Sequence, residues 1–428
     1  MFEEVYAEIR KTTIAKVLDF YDGTIRQLDE EGRQAKYAKM LESPFRFFRG
    51  SSHLFYYDVT RIPLAFDTPV HYPTWIQGDL HFENFGVHGN ALGEVVYDVN
   101  DFDEGYLGSY LYDVLRMAVS VQLFAEECGH DPRAGIEAFC QSYLDQLRLF
   151  AQGAENPRTF SYTKGNTKGP VKKLIKKAEK KQAELLAERT ELHGGERRFK
   201  QMPDMVPVDE TTLDAIRSVW PSYIETIDEE DRQTPSFYKI KDVVTKIESG
   251  TASIGLKRFY ILIEGEGGEH ADTILEMKQA QSPVPALFLP AYRPEVETVH
   301  QGLRIVATQK AMQAHEDTFL GYMTMKGEEF YVRERSPFKK KLKAKHISDA
   351  KDLLSTLAIQ GKITAKIHAR ADADSELLAH HADQMIVSSI GKSDQAFISQ
   401  VSRSAEAYAR RVREDFKIFQ EWAQSRQR

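Results

Sequence analysis

The chain has 428 residues, enough for two or three domains or for one two-lobed enzyme. Its hydrophobic content of 42% and charged content of 28% exclude wholesale disorder, and a net charge of −7 argues against a dedicated nucleic-acid binder. The two cysteines, Cys128 and Cys140, show no CxxC or His-Cys spacing, which argues against a disulfide framework or a structural zinc site. The acidic start Met1-Phe2-Glu3-Glu4 lacks a signal-peptide core, and no run of about eighteen apolar residues occurs. The expectation is a cytoplasmic protein without a membrane or nucleic-acid partner.

Residues 3–41 read as helices, with Ile9, Ile14, Val17, Leu18 and Phe20 forming an apolar stripe at helical spacing. Ser43-Pro44 stops the helix. The segment Phe45-Arg46-Phe47-Phe48-Arg49-Gly50 is an aromatic knot with two arginines. Arg49 is suited either to bind a phosphate or carboxylate or to pair with an acid of the core wall.

Gln77-Gly78-Asp79-Leu80-His81-Phe82-Glu83-Asn84-Phe85-Gly86 reads as a strand end followed by a loop. Asn90 and Gly93 predict a hairpin turn, and Val95 to Val99 a strand that delivers Asn100-Asp101-Phe102-Asp103-Glu104 to its end. Asp, Asn and Gly are also common turn formers, so each half alone reads as a turn. Together they bring Asp79, Asn84 and Asp101 within reach of one another: one carboxylate to take a proton, with an amide and a carboxylate to hold Mg²⁺. A long helix follows from Tyr112 to about Glu127. Asp113, near its start, either accepts backbone N–H groups of a nearby loop or serves as a helix cap. Residues 134–151 continue as amphipathic helix.

From Lys164 to Lys181 a basic run reads first as a solvated helix face balanced by the acids from Glu184 onward, and second as an anion-binding surface. Gly194-Gly195, Pro203 and Pro207 mark a loop. A second compositional unit begins near Ser236. It reads as a strand around Val243, a small-residue turn at Gly250-Thr251-Ala252-Ser253-Ile254-Gly255, a strand at 257–263 and a strand at Thr273–Ala280. A glycine-rich hairpin lets backbone N–H groups approach phosphates, although most such hairpins are merely tight turns. Lys278 stands beside the apolar Leu275 and Met277, and an interior lysine needs an anionic partner. Residues 295–315 look helical. Phe319–Met325 and Glu329–Arg335 look like a strand pair around Lys326-Gly327, and 348–370 and 394–422 look helical.

These residues carry a family resemblance. Gly78-Asp79-Leu80-His81-Phe82-Glu83-Asn84 resembles the catalytic loop of aminoglycoside- and choline-kinase-like phosphotransferases. Asn100-Asp101-Phe102-Asp103 resembles their metal-binding loop, and Tyr112-Asp113-Val114-Leu115-Arg116 the helix that follows. The wider pattern is closer to the bacterial family called domain of unknown function 2252, through Ser43–Gly50, Gly78–Gly86, Asn100–Glu104, Gly250–Gly255, Glu276–Ala280, Phe330–Arg333 and His368-Ala369-Arg370. The resemblance implies an α+β, two-lobed protein-kinase-like fold. Because the catalytic loop precedes the glycine loop and its lysine, it implies a circularly permuted one. Residues 1–235 would form a helical lobe with the catalytic and metal loops, 236–337 a β-rich nucleotide lobe, and 338–428 the helices completing the first lobe.

The implied activity is an ATP- and Mg²⁺-dependent phosphotransferase acting on an unidentified hydroxyl-bearing acceptor, either a small molecule or a protein. Asp79 would be catalytic. Asn84, Asp101 and Asp103 would hold the metal. Lys278 would bind nucleotide phosphates under Gly250, Thr251, Ser253 and Gly255, while Asp113, Arg49 and His81 would support. Glu295, Glu297 and Gln309 are the candidates to pair with Lys278. The rival readings are a non-catalytic nucleotide-binding pseudokinase and a metal-dependent phosphohydrolase built on Asp79, His81, Asp101 and Asp103.

Overall fold

Caps and prolines partition the start of the chain into helices. In the computed structural model, which describes residues 2–180, 184–247, 254–266 and 272–426, helix α1 (Phe2–Leu18) runs into a π-helical turn at Asp19–Ile25. Asp29 caps α2 (Glu30–Met40) by accepting from the Gly32 N–H. Ser43 caps α3 (Pro44–Gly50) through the Arg46 N–H, with Pro44 in the first turn, where its missing N–H costs nothing. The aromatic segment 45–50 is therefore a helix, and Ser43-Pro44 begins it as much as it ends the previous one. Helix α4 (Ser52–Val59) follows.

Strand β1 (Thr74–Ile76) leads into the 77–84 loop. β2 (Phe85–Gly89) and β3 (Val95–Val99) form a hairpin closed at Asn90 and Gly93, and β4 (Tyr106–Gly108) returns to pair with β1. Ser109 caps α5 (Tyr110–Glu127), Asp131 caps α6 (Pro132–Ala151), and the basic run lies on α7 (Gly169–Glu179). After α8 (Glu184–Arg189), Gly194-Gly195 turns a hairpin between β5 (Thr190–His193) and β6 (Glu196–Phe199), where the sequence reads as plain loop.

The main sheet comprises β7 (Met205–Pro207), β8 (Ile240–Lys246), β9 (Arg258–Ile263), β10 (Thr273–Gln279), β11 (Gly321–Met325) and β12 (Glu328–Glu334). It is antiparallel, in the order β11-β12-β10-β9-β8-β7. Helix α9 (Glu210–Thr226) covers one face: Ile216, Trp220 and Tyr223 pack on Ile261, Leu275, Met277 and Val332. Two elements ahead of residue 236 thus belong with this sheet. Period-2 alternation turns Glu276 and Lys278 to the other face, opposite Arg333 and Tyr331 on β12.

Between β10 and β11 lie α10 (Pro294–Glu297) and α11 (Gln301–Met312). β13 (Lys340–Lys341) pairs with β2, and α12 (Ala350–Arg370), α13 (Ala382–Ile390) and α14 (Asp394–Arg426) end the chain. The architecture is a mixed α+β one. One apolar core joins helices from both sides of the sheet segment: Phe82, Phe124 and Tyr143 share it with Leu357, Ile363 and Phe419. Buried Arg10 of α1 donates to Asp58 of α4 at 2.8 and 2.9 Å and to Asp415 of α14 at 2.8 Å. No helix among the described residues is long and apolar enough to cross a membrane.

Helices α6 and α12 cross closely because Gly361 has no side chain: an added Cβ would run into the Phe139 carbonyl. Gly361→Ala is expected to lower stability by about 1–3 kcal/mol in urea unfolding, the usual cost of overpacking. Unchanged stability would mean that the two helices do not meet there.

Candidate active site

The 77–84 loop is shaped by a carboxylate beneath it. Asp113, wholly buried on α5, accepts from the Gln77 N–H at 2.6 Å and the Gly78 N–H at 3.0 Å. Ser109 supplies the cap of α5, so Asp113 is not its cap. Two charge-assisted bonds at one carboxylate turn the backbone sharply. Gly78 makes this possible with φ +82°, and a Cβ there would strike the Glu104 carbonyl. Tyr56 Oη donates to the Gly78 carbonyl at 2.9 Å. From α12, His368 Nε2 lies 3.3 Å from Asp113, and its Nδ1 lies 3.0 Å from Tyr143 Oη. Gln77 ties the two motifs together, donating to the Asp101 carbonyl at 2.7 Å while its Oε1 takes the Asp79 N–H at 2.9 Å.

Asp79 projects from this turn toward α5. Arg116, one helical turn beyond Asp113, binds Oδ1 of Asp79 through Nε at 2.6 Å and also through Nη2. Burial nevertheless raises the Asp79 pKa to about 6, and Glu104 adds to the rise, because Arg116 only partly offsets the lost hydration. Oδ2 is the freer oxygen, with His81 Nε2 at 3.9 Å. His81 faces two donors, Arg49 Nε at 3.1 Å and the Glu83 N–H at 3.2 Å. Burial and the neighbouring arginines Arg49 and Arg116 push its pKa well down, so the ring is neutral and accepts at a single nitrogen. Arg49 also pairs with Glu83.

Asn84 donates to the Asp79 carbonyl at 2.8 Å, closing the loop on itself, and the Asn84 carbonyl takes the Asn100 N–H at 3.1 Å. Gln360 of α12 donates to the Phe82 carbonyl at 3.0 Å, and Lys366 donates to Asp98 at 2.6 Å. Lys278, 175 residues further along the chain than Asp103, forms an ion pair with it. Tyr331 Oη donates to the other Asp103 oxygen at 3.0 Å. Burial alone would raise the Asp103 pKa, but Lys278 outweighs it and holds the carboxyl well below its usual range. Arg304 of α11 clasps the same turn, donating to the Asp103 carbonyl at 2.8 Å and the Gly105 carbonyl at 2.7 Å. Among the described residues no side chain hydrogen-bonds or ion-pairs with the Asp101 carboxylate. Arg49, Lys341 and Tyr331 are among its electrostatic neighbours.

Asp79, His81, Asn84, Asp101, Asp103, Asp113, Arg49 and Lys278 are thus connected through one bonded network or its immediate field. Gly250, Thr251 and Ser253 lie outside the described residues. Gly255 has φ +80°, and a Cβ there would meet Leu28 of the segment before α2. The partner of Lys278 is none of the three expected residues. Glu297 accepts from the Arg293 N–H, Gln309 donates to Gln313, and Glu295 pairs with Arg293. Arg116, Tyr331 and Arg304 hold the network without a sequence-derived role. A lone arginine in the apolar run Val114-Leu115-Arg116-Met117 is the one signal that points to any of them.

The model of the family described as "Uncharacterized protein conserved in bacteria (DUF2252)" matches residues 28–422, and the chain belongs to that family. Neither the curated proteins nor the solved structures include a significant match to it.

Removing the Asp113 carboxylate would strand two buried N–H groups. Asp113→Ala is expected to cost about 3–5 kcal/mol in urea unfolding, and Asp113→Asn less, because the amide keeps one acceptor. Equal stability of all three proteins would overturn the role given to this residue.

Proposed function

We propose that the protein is an ATP- and Mg²⁺-dependent phosphotransferase with a kinase-like fold in circularly permuted order, acting on a hydroxyl-bearing acceptor. The observation that carries this reading is the Lys278–Asp103 pair, which sets a strand lysine of the sheet against the acidic turn after β3. Phosphoryl transfer needs a cation for the phosphate oxygens, a metal-holding acid pair and a base, with little covalent chemistry from the protein. Lys278 supplies the first and Asp79 the last.

Asp79 would orient the acceptor hydroxyl and take its proton at Oδ2, since Arg116 occupies Oδ1. The Asp101 carboxylate, which has no bonded partner among the described residues, and the amide oxygen of Asn84 fit a hard, oxygen-seeking cation, with Asp103 as a further ligand. Bound Mg²⁺ would offset the charge on the transferred group. Lys278 would exchange Asp103 for nucleotide phosphate, and Arg49 and Lys341 would add positive charge beside Asp101. The phosphohydrolase alternative calls on His81 as a ligand. Its ring, set between two N–H donors, offers no spare lone pair to a metal.

Calorimetric titration of MgATP is expected to show binding to the wild type, weakened at least about tenfold in both Lys278→Ala and Asp101→Asn. Absence of binding to the wild type, or equal binding by both variants, would sink the nucleotide site. With ATP and a panel of hydroxylated acceptors, Asp79→Asn is expected to keep nucleotide binding and to lose transfer by about 10²–10⁴-fold, the usual worth of a positioned base. A wild type that binds nucleotide and transfers phosphate to no acceptor would favour the pseudokinase. The base works deprotonated, so the wild-type rate should fall as pH drops through about 6, and the residual Asp79→Asn rate should not follow that profile.

A further inference from the structure

The loop between α12 and α13 holds a cluster that the proposed reaction does not use. Asp372, Asp374 and His381 place one ligand atom each within 4.8 Å of one another. Asp372 is 0% exposed, and its Oδ2 has no hydrogen-bond partner. That oxygen points into the cluster, 3.9 Å from His381 Nδ1, and the same nitrogen lies 3.7 Å from Asp374 Oδ2. Two donors that share a tetrahedral ion at about 2.1 Å stand roughly 3.4 Å apart, so the two His381 contacts would have to tighten by a few tenths of an ångström, and the two carboxylates, within 4.8 Å of each other, would have to close toward the same spacing. Among the described residues no lysine or arginine ion-pairs with Asp372 or Asp374, and Asp383, another buried acid, adds to the negative field.

We propose that Asp372, Asp374 and His381 bind a divalent transition-metal ion, Zn²⁺ fitting best, at a site separate from the 77–104 network. An imidazole nitrogen among carboxylates selects Zn²⁺ or Co²⁺ over Mg²⁺ and Ca²⁺, which favour all-oxygen sets. The exposed side, at Asp374, leaves the fourth position to water. The ion's role is structural. Hydrogen bonds already fasten the loop, among them the Ala373 N–H to the His380 carbonyl at 3.0 Å, His380 Nε2 to the Pro73 carbonyl at 3.0 Å, and Arg293 to the Leu377 carbonyl at 2.7 Å. Pro73 directly precedes β1, the strand that enters the 77–84 loop. An ion here would clamp the α12–α13 connection against that strand.

The test is titration of the full chain with Co²⁺, followed by visible absorption, with Zn²⁺ as competitor. The wild type is expected to take up one Co²⁺ with the intense bands of a four-coordinate site, bleached by Zn²⁺. His381→Ala and Asp374→Asn change side chains at the solvent face and should fold. Each is expected to weaken binding at least about tenfold. Asp101→Asn should bind Co²⁺ at this site as the wild type does, which keeps the result independent of the nucleotide site. Zn²⁺ should raise the melting temperature of the wild type and not that of His381→Ala. No four-coordinate spectrum in the wild type, or the same spectrum and affinity in both ligand variants, would overturn the proposal. The cluster would then be a chance grouping of acids and a histidine in the loop.

Discussion

The Asp113 carboxylate sets the position of nearly everything around the acidic network. It lies wholly buried and binds two consecutive backbone N–H groups, so the chain at Gln77 and Gly78 has one place to go. Three residues later on the same helix face, Arg116 binds the side chain of Asp79. One turn of α5 therefore grips the loop twice, by its backbone with an anion and by its acid with a cation. Both charges are costly alone in the interior, and each is tolerable because the other end of its bond is fixed. The rings of Phe48 and Phe55 lie against the Arg116 guanidinium, 4.3 and 5.2 Å from ring centre to carbon, and the Phe48 carbonyl accepts from its Nη2 at 3.2 Å.

On the face opposite α9, the sheet meets the acidic turn after β3 through charged and polar residues. Glu276 is buried on β10 with Arg333 bonded to it at 2.9 and 3.0 Å and Arg258 at 3.4 Å. Burial would raise its pKa, but these cations and Lys339 outweigh it and hold the carboxyl well below its usual range. Lys278, two residues on and therefore on the same face, is neutralised from outside the sheet by Asp103. An apolar face here would have bound the two parts more simply. The charged one leaves a lysine and an acid whose attachment can be exchanged for a ligand of the same charge type, which a packed leucine does not allow.

Local rules made much of this legible. The β-branched and aromatic run at 259–263, the strand-like segment 273–279, the Asn90–Gly93 turn and the small-residue interruption after β8 mark the strands, and the apolar run after Tyr112 marks α5. The acids of the network stand out because they interrupt apolar sequence. What stayed hidden depends on non-local contact. Nothing near Lys278 announces Asp103, and the helix residues adjacent in sequence were the natural, mistaken candidates. Helix α9 carries Pro221 in its interior, which argues against a helix by local rules. Strands β5 and β6 are four residues each, too short to show alternation beside Gly194-Gly195. Arg304 reads as one more helix arginine until the carbonyls it clasps are brought to it.

The order in which the network is assembled has a consequence for biosynthesis. Two of its acids leave the ribosome long before their cations: Asp98 waits 268 residues for Lys366 and Asp103 waits 175 for Lys278, whereas Asp79 meets Arg116 after 37. During translation the Asp98 and Asp103 carboxylates therefore stay without these partners until β10 and α12 have been made. Chain entropy makes such distant closures slow, and the helical first part is exposed to chaperones for the time needed to synthesise the sheet.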